Sequence, residues 1–287
     1  MKTLDRTAYL PLIELALAED IGGGDVTSLS VIPQAAYWAA RMVAREEIVV
    51  AGMSIVSDVF RQIDPEIEFE QLVSDGELVL PGECVATLKG NARAILAGER
   101  TALNFVQRLS GVATLTRSYV SAVQGTSCEI LDTRKTTPGW RVLEKHAVAC
   151  GGGRNHRVGL FDMVMIKDNH LAVLSGEKAP IAVAVQRAKE RYPSIKVEVE
   201  ADTIDQAVSA AESGADVILL DNMSIAELRE SVSLIANRSK TEASGGITLA
   251  SIREIAETGV DYISVGALTH SAPSVDLALD IDTDPVR

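Results

Sequence analysis

The amino-acid sequence predicts an α/β protein in which an N-terminal α+β domain precedes an open or irregular (β/α) barrel. Three observations support this prediction. Short apolar runs rich in β-branched residues alternate with helical patterns through the second half of the chain. The repeat is nearly regular, since 21 residues separate Glu200 from Asp221, 23 separate Asp221 from Ser244 and 22 separate Ser244 from Gly266. No dinucleotide-binding fingerprint or long crossover appears in the sequence, which favours a barrel over a doubly wound sheet.

The first hundred residues predict a mixture of helices and strands. The stretch "MKTLDRTAYLPLIELALAED" has acids throughout and a helical period, so it predicts an amphipathic helix and not a signal peptide. A turn follows in "DIGGGDVTS", with capping residues at Asp25, Thr27 and Ser28. The segments "YWAARMVAREEIVVAG" and "ELVLPGECVATLKG" predict strands with a Pro81-Gly82 turn. Residues 92–123 predict a long amphipathic helix, in which Gly111 is a candidate position for a break.

The second half of the chain predicts six strands, and six is two short of a complete eight-stranded barrel. The predicted strands are "SCEILDTR", "MVMIKDN", "IKVEVEAD", "DVILLDN", "TEASGG" and "DYISVGA". Helical patterns cover residues 141–150, 180–192, 204–213, 224–236 and 248–257. We therefore assign residues 1–112 to the α+β domain and 113–270 to the barrel. Residues 271–287 form a C-terminal segment that is expected to pack back on the N-terminal domain.

Composition and charge exclude several classes of protein. The chain has 287 residues, a formal charge of −13 and a sequence pI near 4.8. This acidity argues against nucleic acid or an anionic membrane as a partner. No apolar run is long enough to span a bilayer. The three cysteines have no metal-binding spacing, so we expect reduced thiols and a cytoplasmic location.

One stretch of this acidic chain is strongly basic. Residues 133–157 contain six lysines and arginines and a single acid, Glu144, which makes the window about +5 and leaves the remainder at about −18. We interpret the window as a site for a small anion. Within it, Arg141 and Lys145 lie four residues apart on a helix beside Glu144, and are expected to form a solvated helix face instead of part of the site.

Polar residues also stand at the predicted carboxyl ends of the strands. Interior strand positions of a barrel are expected to be apolar, and function in parallel α/β folds collects at these ends. We expect the residues to meet at one rim with three parts. The cationic part consists of Arg134, Lys135, Lys167, His156 and Arg157. The acidic part consists of Glu200 and Asp221, which could hold Mg²⁺ or line sugar hydroxyls. The third part is a phosphate cradle before a helix, formed by Ser244, Gly245, Gly246 and Gly266.

The two glutamates of "VEVE" have alternative interpretations. Glu198 and Glu200 lie on the same face of the predicted strand. One of them could face the rim while the other forms an internal ion pair with a cation such as Lys196. The sequence leaves open which of the two would contact a metal ion. His146 and His270 are expected to be packed or surface histidines.

The motifs together resemble the quinolinate phosphoribosyltransferase family. The resemblance covers nearly the whole chain and rests on "EDIGGGDVTS", "GERTALNFVQRLSG", "DTRKTTPG", "CGGGRNHR", "IKDNH", "LLDN" and "ASGGIT". It implies transfer of phosphoribosyl from 5-phosphoribosyl-1-diphosphate to quinolinate with Mg²⁺, which gives nicotinate mononucleotide, CO₂ and diphosphate for NAD synthesis. It also implies an open, seven-stranded barrel and a homodimer, or a higher homo-oligomer, with shared active sites.

The resemblance further implies roles for individual residues. Catalytic roles would fall to Lys135, Lys167, Glu200 and Asp221, with Glu200 and Asp221 serving Mg²⁺ and ribose. Arg100 would reach the partner subunit's site. The remaining substrate-binding residues would be Arg134, His156 and Arg157 for quinolinate and the phosphates, with Ser244, Gly245, Gly246 and Gly266 for the 5′-phosphate. Three positions depart from the family pattern, namely Trp140, His146 in place of a usual aromatic residue, and Phe161.

Three other functions fit parts of the sequence. A related phosphoribosyltransferase, similar to those of molybdate-transport operons, would act on a different base. A Schiff-base aldolase would use Lys167 as its nucleophile. A non-catalytic barrel that binds phosphosugars would account for the glycine cradle but not for the arginine cluster.

Overall fold

A computed structural model describes residues 4–282 of the chain, which divides into two compact units. The first unit contains the described residues up to Arg117, together with Thr136–Gly152 and those from Leu268 onward. The second contains Ser118–Lys135 and Gly153–Ala267. Of the predicted C-terminal segment, residues 283–287 lie outside the described residues.

Residues 4–122 alternate short strands with helices, as the sequence predicts. The capping prediction is confirmed, because the Asp25 side chain accepts hydrogen bonds from the backbone N–H groups of Thr27 and Ser28 at 3.0 Å each. The elements are α1 (Arg6–Ile21), α2 (Val26–Val31), β1 (Tyr37–Ala44), β2 (Ile48–Val49), α3 (Met53–Ile63), β3 (Glu68–Gln71), β4 (Leu78–Val79), β5 (Cys84–Asn91) and α4 (Ala92–Ala122).

All six strands predicted for the second half of the chain are present. The elements are β6 (Glu129–Leu131), α5 (Arg141–Cys150), β7 (Val164–Ile166), α6 (Asp168–Ala172), α7 (Pro180–Arg191), β8 (Val197–Ala201), α8 (Ile204–Glu212), β9 (Val217–Asp221), α9 (Ile225–Ile235), β10 (Lys240–Ser244), α10 (Ile252–Ala256), β11 (Tyr262–Ser264), α11 (Ala267–His270) and β12 (Leu277–Asp282). Among the described residues, no helix combines the length and the apolar character needed to cross a bilayer.

The first unit is built on a four-stranded sheet in the order β12-β1-β5-β3. The strand β12 pairs antiparallel with β1 along the register Ala44↔Leu277 to Ala39↔Asp282. Alternate residues of β1 face the core, where Met42 and Ala44 are fully buried. The sheet therefore joins the two ends of the described chain.

The second unit is built on six parallel strands in the order β6-β11-β10-β9-β8-β7. Beyond β6, Arg154 forms an isolated parallel bridge with Leu131 and adds a seventh segment to the sheet. The Arg154 segment and β7 are the two edges of the hydrogen-bonded sheet, so the arrangement is an open barrel, as predicted. Because every strand runs in the same direction, all carboxyl ends lie on one edge.

The barrel interior differs from the apolar filling that was expected. Outward-facing residues such as Val199 and Ile218 are buried and apolar, in keeping with helices that cover the sheet. The inward-facing positions of β8 and β10, however, hold Glu198 and Glu242, which are 0% and 1% exposed. Buried carboxylates need polar or cationic partners, so this interior is a polar centre instead of a hydrophobic core.

Helix α4 runs unbroken from Ala92 to Ala122, so the predicted break near Gly111 is wrong. Gly111 has a packing role instead. A Cβ placed on it would lie 1.9 Å from the backbone oxygen of Pro273. The glycine thus lets the C-terminal chain approach the helix backbone.

Replacing Gly111 by alanine is expected to lower the free energy of unfolding by about 3 kcal/mol, as overpacking a rigid contact does. Helix propensity alone would favour alanine by about 1 kcal/mol, so the sign separates the two effects. Urea denaturation of the variant measures the change. Gly176→Ala is the control, because no atom lies within 4 Å of its added Cβ. An unchanged or raised midpoint for Gly111→Ala would contradict this role.

The predicted solvated face of α5 is also wrong for one of its two residues. Lys145 is only 3% exposed, and the neighbouring Glu144 is fully buried. The Glu144 carboxylate accepts a hydrogen bond from Arg108 at 3.0 Å, and its two oxygens accept from Thr137 N–H at 3.0 Å and Thr137 Oγ1 at 2.9 Å. These contacts tie the start of α5 to α4 within the first unit, so the charges are structural.

Candidate active site

The carboxyl edge of the parallel sheet brings the predicted site residues together by topology. Each strand ends in, or is closely followed by, residues that the sequence singled out. In spatial order they are Lys167 after β7, Glu200 in β8, Asp221 at the end of β9, Ser244 at the end of β10, Gly266 after β11 and Arg134 with Lys135 after β6. The rim is therefore acidic in its middle and cationic on both flanks.

Lys167 and Glu200 form an ion pair across the neighbouring strands β7 and β8. The Lys167 side chain is 41% exposed and the Glu200 side chain 13%, so the pair lies open to an incoming substrate. The backbone N–H of Lys167 donates to Nδ1 of His170 at 2.9 Å, which fixes the turn into α6. Glu200 is thus the rim glutamate of the "VEVE" segment.

Asp221 is fixed by the turn that follows β9. The Asn222 side-chain amide donates to Asp221 Oδ2 at 2.7 Å, and the Asn222 backbone N–H donates to the Ser244 oxygen at 2.9 Å. Asn222 adopts a left-handed conformation with φ 55°, which asparagine tolerates better than most residues. Asp221 and Ser244 are partners in the parallel register, so the acidic and phosphate-cradle parts of the rim are adjacent.

The glycine turn after β10 is close-packed on one side and open on the other. A Cβ on Gly245 (φ +101°) would lie 2.1 Å from Asn222 Oδ1, whereas one on Gly246 (φ +61°) meets nothing within 4 Å. The helix that was expected to follow at once begins only at Ile252, after a turn in which Thr248 accepts the Ile252 N–H. A phosphate would accordingly be bound by the exposed glycine turn and not by the first turn of α10.

Two guanidinium groups lie close enough to influence each other on the cationic side. Burial and the charge of Arg134 lower the pKa of Arg157, while Glu198 opposes this effect. Arg157 donates to the Met163 oxygen and to the Met165 sulfur, each at 3.3 Å. Mutual repulsion between two partly buried cations is relieved when an anion binds between them.

His156 faces the barrel interior. Its Nε2 lies 3.0 Å from Glu198 Oε2 and 3.4 Å from Glu242 Oε2, and its side chain is 7% exposed. The backbone N–H of His156 donates to Asp132 Oδ1 at 2.8 Å, and its Nδ1 accepts the Arg157 N–H at 2.7 Å. The internal ion pair predicted for one glutamate is thus formed by Glu198, and the cation is His156 rather than Lys196.

The pKa values of two residues in the interior cluster of His156, Glu198 and Glu242 are shifted upward. Burial raises the pKa of Glu198. Burial also lowers the pKa of His156, but hydrogen bonds to the two carboxylates outweigh it and raise this pKa to about 10. The Nδ1 that accepts the Arg157 N–H belongs to the neutral ring, whose one proton is on Nε2 and faces the two carboxylates.

A cavity of about 230 Å³ opens beside this cluster. Met163, Lys196 and Val217 stand just before or at the first residues of β7, β8 and β9, so the cavity extends toward the amino ends of these strands. It is lined by Leu131, Arg154, Asn155, His156, Arg157, Asp162, Met163, Lys196, Glu198, Val217, Glu242 and Tyr262. The sequence interpretation missed Glu242 and Asp132. The signal for Glu242 was its position two residues before Ser244, which places both side chains on one face of β10.

Two of the predicted site residues, Lys135 and Arg100, have exposed side chains. Lys135 is exposed after β6, where its backbone N–H donates to Thr133 Oγ1 at 3.0 Å. Arg100 is an exposed residue of α4 in the first unit. Its predicted role in a neighbouring subunit's site stays a prediction.

An open parallel barrel whose carboxyl edge combines paired cations, two carboxylates and an exposed glycine turn defines an α/β-barrel enzyme for phosphorylated, anionic substrates. Residues 25–110 match the family description "Quinolinate phosphoribosyl transferase, N-terminal domain" and residues 112–280 match the corresponding C-terminal domain. The chain belongs to the quinolinate phosphoribosyltransferase family.

Individual relatives agree with this assignment. The chain is 44% identical over 290 residues to the chloroplastic nicotinate-nucleotide pyrophosphorylase [carboxylating] of Oryza sativa subsp. japonica, covering 95% of this chain and 77% of the rice protein. It is 44% identical over 264 residues to the probable nicotinate-nucleotide pyrophosphorylase [carboxylating] of Bacillus subtilis (strain 168), covering 92% and 90% of the two chains. The solved nicotinate-nucleotide pyrophosphorylase from Francisella tularensis superposes with a TM-score of 0.92 at 40% identity, covering 98% of each chain.

Proposed function

We propose that this protein transfers phosphoribosyl from 5-phosphoribosyl-1-diphosphate to quinolinate with loss of CO₂, giving nicotinate mononucleotide and diphosphate in NAD biosynthesis. Family membership supports this activity. The structural observation that best supports it is the Lys167–Glu200 ion pair on a rim that also carries Arg134 and Lys135 after β6. A pyridine dianion and a polyphosphate need cations, and a developing sugar cation needs a carboxylate.

The cations bind and orient the two anionic substrates. Quinolinate carries adjacent carboxylates, and an arginine fork matches a carboxylate bidentately, so Arg134 and Arg157 are the proposed anchors. Each charge-assisted hydrogen bond contributes roughly 1.5–3 kcal/mol, and several are needed to offset repulsion and desolvation. His156 acts through Arg157, because its Nδ1 accepts the Arg157 backbone N–H.

The bound ring is then held so that its nitrogen faces C1 of the ribose. As diphosphate departs, C1 acquires oxocarbenium character, which Glu200 or Asp221 stabilises electrostatically. Lys135 and Lys167 offset charge on the leaving diphosphate. Alkylation makes the ring nitrogen cationic, so the C2 carboxylate leaves as CO₂ and its electron pair remains on C2 beside N⁺. A proton from water then adds to C2 and gives nicotinate mononucleotide. The protein needs no covalent nucleophile for this sequence of steps.

The acidic part of the rim is suited to Mg²⁺. Glu200 pairs in register with Leu219, and Asp221 follows on the same face of β9, so both carboxylates project from neighbouring strands on one side. One or two carboxylates together with substrate phosphates are the ligands that Mg²⁺ usually takes in proteins. When bound, the ion would neutralise charge on the diphosphate. The exposed turn of Gly245 and Gly246, with Ser244 and Gly266, would hold the 5′-phosphate.

The direct test is an assay of purified protein with quinolinate, 5-phosphoribosyl-1-diphosphate and Mg²⁺, following CO₂ and nicotinate mononucleotide. Release of CO₂ with quinolinate but no product from nicotinate is the expected result. Product from another base without CO₂ would identify the related transferase. Binding of both substrates without turnover would identify a phosphosugar-binding barrel.

The aldolase alternative is disfavoured by the contact that Lys167 makes. A Schiff-base nucleophile needs an amine that is free to attack a carbonyl, whereas the Lys167 Nζ is engaged by the Glu200 carboxylate. Borohydride reduction in the presence of carbonyl substrates should therefore leave Lys167 unmodified. A trapped adduct at Lys167 would favour the aldolase.

We also propose that the enzyme is a homodimer in which Arg100 completes the partner's site. Arg100→Ala and Lys135→Ala proteins are each expected to be inactive. Mixing equal amounts should restore roughly one quarter of wild-type activity, because half of the dimers are mixed and each of these keeps one intact site of two. Activity is measured after subunit exchange, with each variant incubated alone as control. No recovery under conditions of proven exchange would contradict a shared site.

The proposed location is the cytoplasm. Cys84, Cys128 and Cys150 are all free thiols, and the last two are buried, so the chain suits a reducing compartment. Fractionation of the native cells with an antibody to this protein tests the location.

A further inference from the structure

A second cluster of ligand-type side chains lies in the first unit, among Asp75, His146 and Cys150. His146 and Cys150 are four residues apart on α5, so they project from one face of the helix. Asp75 approaches from the segment between β3 and β4. His146 Nε2 lies 2.8 Å from Asp75 Oδ2 and 3.4 Å from Cys150 Sγ. The one-turn spacing on a helix is the same that places two histidines on a metal ion in helical zinc motifs.

Hydrogen bonds alone do not satisfy this arrangement. Both neighbours contact the same ring nitrogen of His146. When Nε2 carries a proton it donates to the Asp75 carboxylate and cannot accept the Cys150 S–H; when it lacks one, it faces the carboxylate as a second acceptor. Neither tautomer therefore gives both neighbours a full hydrogen bond of their own. A cation at the centre would satisfy the nitrogen, the sulfur and the oxygen together.

We propose that Asp75, His146 and Cys150 bind a transition-metal ion of the zinc class. The nitrogen, sulfur and carboxylate donors match the ligands of Zn²⁺, and water would complete a four-coordinate site. Zn–S and Zn–N bonds of about 2.3 and 2.0 Å at a tetrahedral angle put sulfur and nitrogen about 3.5 Å apart, close to the 3.4 Å observed. The Asp75 oxygen, at 2.8 Å from His146 Nε2, must withdraw from this nitrogen by about half an ångström.

The surroundings of Asp75 support a ligand role. Its Oδ2 accepts the Gly52 N–H at 3.0 Å and its Oδ1 accepts the Met53 N–H at 3.1 Å, so backbone groups at the start of α3 fix the carboxylate. Hydrogen-bonded carboxylates of this kind are typical of metal ligands. The Asp75 and His146 side chains are 15% and 9% exposed, which leaves a route for an ion. Binding would link α5 to the segment between β3 and β4 that carries Asp75, and it would release the thiol proton of Cys150.

Cobalt titration of the full-length, chelator-treated protein tests the site independently of any transferase activity. We expect one Co²⁺ per chain with tetrahedral d–d bands and a thiolate-to-cobalt charge-transfer band. Zinc should displace the cobalt and raise Tm on the order of 5 °C at 100-fold excess over Kd. Cys150→Ser should abolish the charge-transfer band. Cys128→Ser is the control, because Cys128 is also a free, buried thiol, and it should keep the band.

His146→Phe provides a second variant that restores the aromatic residue usual in the family and is expected to fold. It should lose cobalt binding while its circular dichroism matches the wild type. A wild-type titration without a thiolate band overturns the proposal whether or not the variants fold. Metal binding that survives both Cys150→Ser and His146→Phe places the ion at another site and also overturns it.

Discussion

Replacing Lys167 by alanine is expected to lower kcat by about 10²-fold or more, which is the usual cost of removing one preorganised electrostatic group. Lys167 stands at the end of β7 and forms an ion pair with Glu200. Its loss would remove a cation that offsets the leaving diphosphate and would also leave the Glu200 carboxylate without its partner. Steady-state kinetics with saturating quinolinate and donor measure the effect.

Lys178→Ala is the matched control, since Lys178 is an exposed lysine only a short distance along the chain. Its activity should stay within about two-fold of wild type, as surface substitutions away from a site do. The double variant with Glu200→Ala should fall by less than the product of the two single effects, because residues in contact are not additive. Lys167→Ala activity within a few-fold of wild type would remove this lysine from the chemistry.

Strand periodicity made most of the barrel predictable. The segments that form β6 to β11 are short, apolar and bounded by glycine and polar residues, so the local sequence of each segment predicts a strand. Direction followed from the intervening helices, because parallel strands need crossovers. The position of the rim followed in turn, since parallel strands share one carboxyl edge. The parallel topology of the sheet therefore places most of the predicted site residues together.

Tertiary contacts account for the failures. The glycine at position 111 does not end α4. It leaves space for the backbone of Pro273, more than 160 positions further along the chain, which a side chain at position 111 would fill. Arg141 and Lys145 show a spacing typical of a solvated helix face, yet Lys145 is buried, and the adjacent Glu144 is buried with Arg108 and Thr137 as hydrogen-bond partners. A local pattern reports which residues share a face of a helix but does not report what covers that face.

The interior cluster marks a further limit of pattern reasoning. Strand alternation correctly places Glu198 and Glu200 on one face, and it does not say which is deeper in the barrel. That depends on His156, which approaches from the loop after the Arg154 bridge. A buried carboxylate is tolerated only where a polar or cationic partner contacts it, and that contact depends on the tertiary structure.

Gly245→Ala is expected to have the largest effect on donor binding. The added Cβ would lie 2.1 Å from Asn222 Oδ1 and 2.6 Å from Asn222 Cγ. The φ of Gly245, +101°, already disfavours any side chain at this position. Relief requires Asn222 to move, and Asn222 donates to Asp221. The substitution should thus disturb the phosphate cradle and the acidic rim together, raising KM for the phosphoribosyl donor by about 10²-fold or more.

Gly246→Ala separates backbone strain from this clash. Gly246 also has a positive φ, +61°, but an added Cβ meets nothing within 4 Å. Its expected cost is about 1 kcal/mol of stability with a small change in KM. Asn222→Gly added to Gly245→Ala removes the two closest contacts, keeps the left-handed turn and should recover part of the lost affinity. If Gly245→Ala and Gly246→Ala were equally impaired, the packing of Gly245 on Asn222 could not be the reason for its importance.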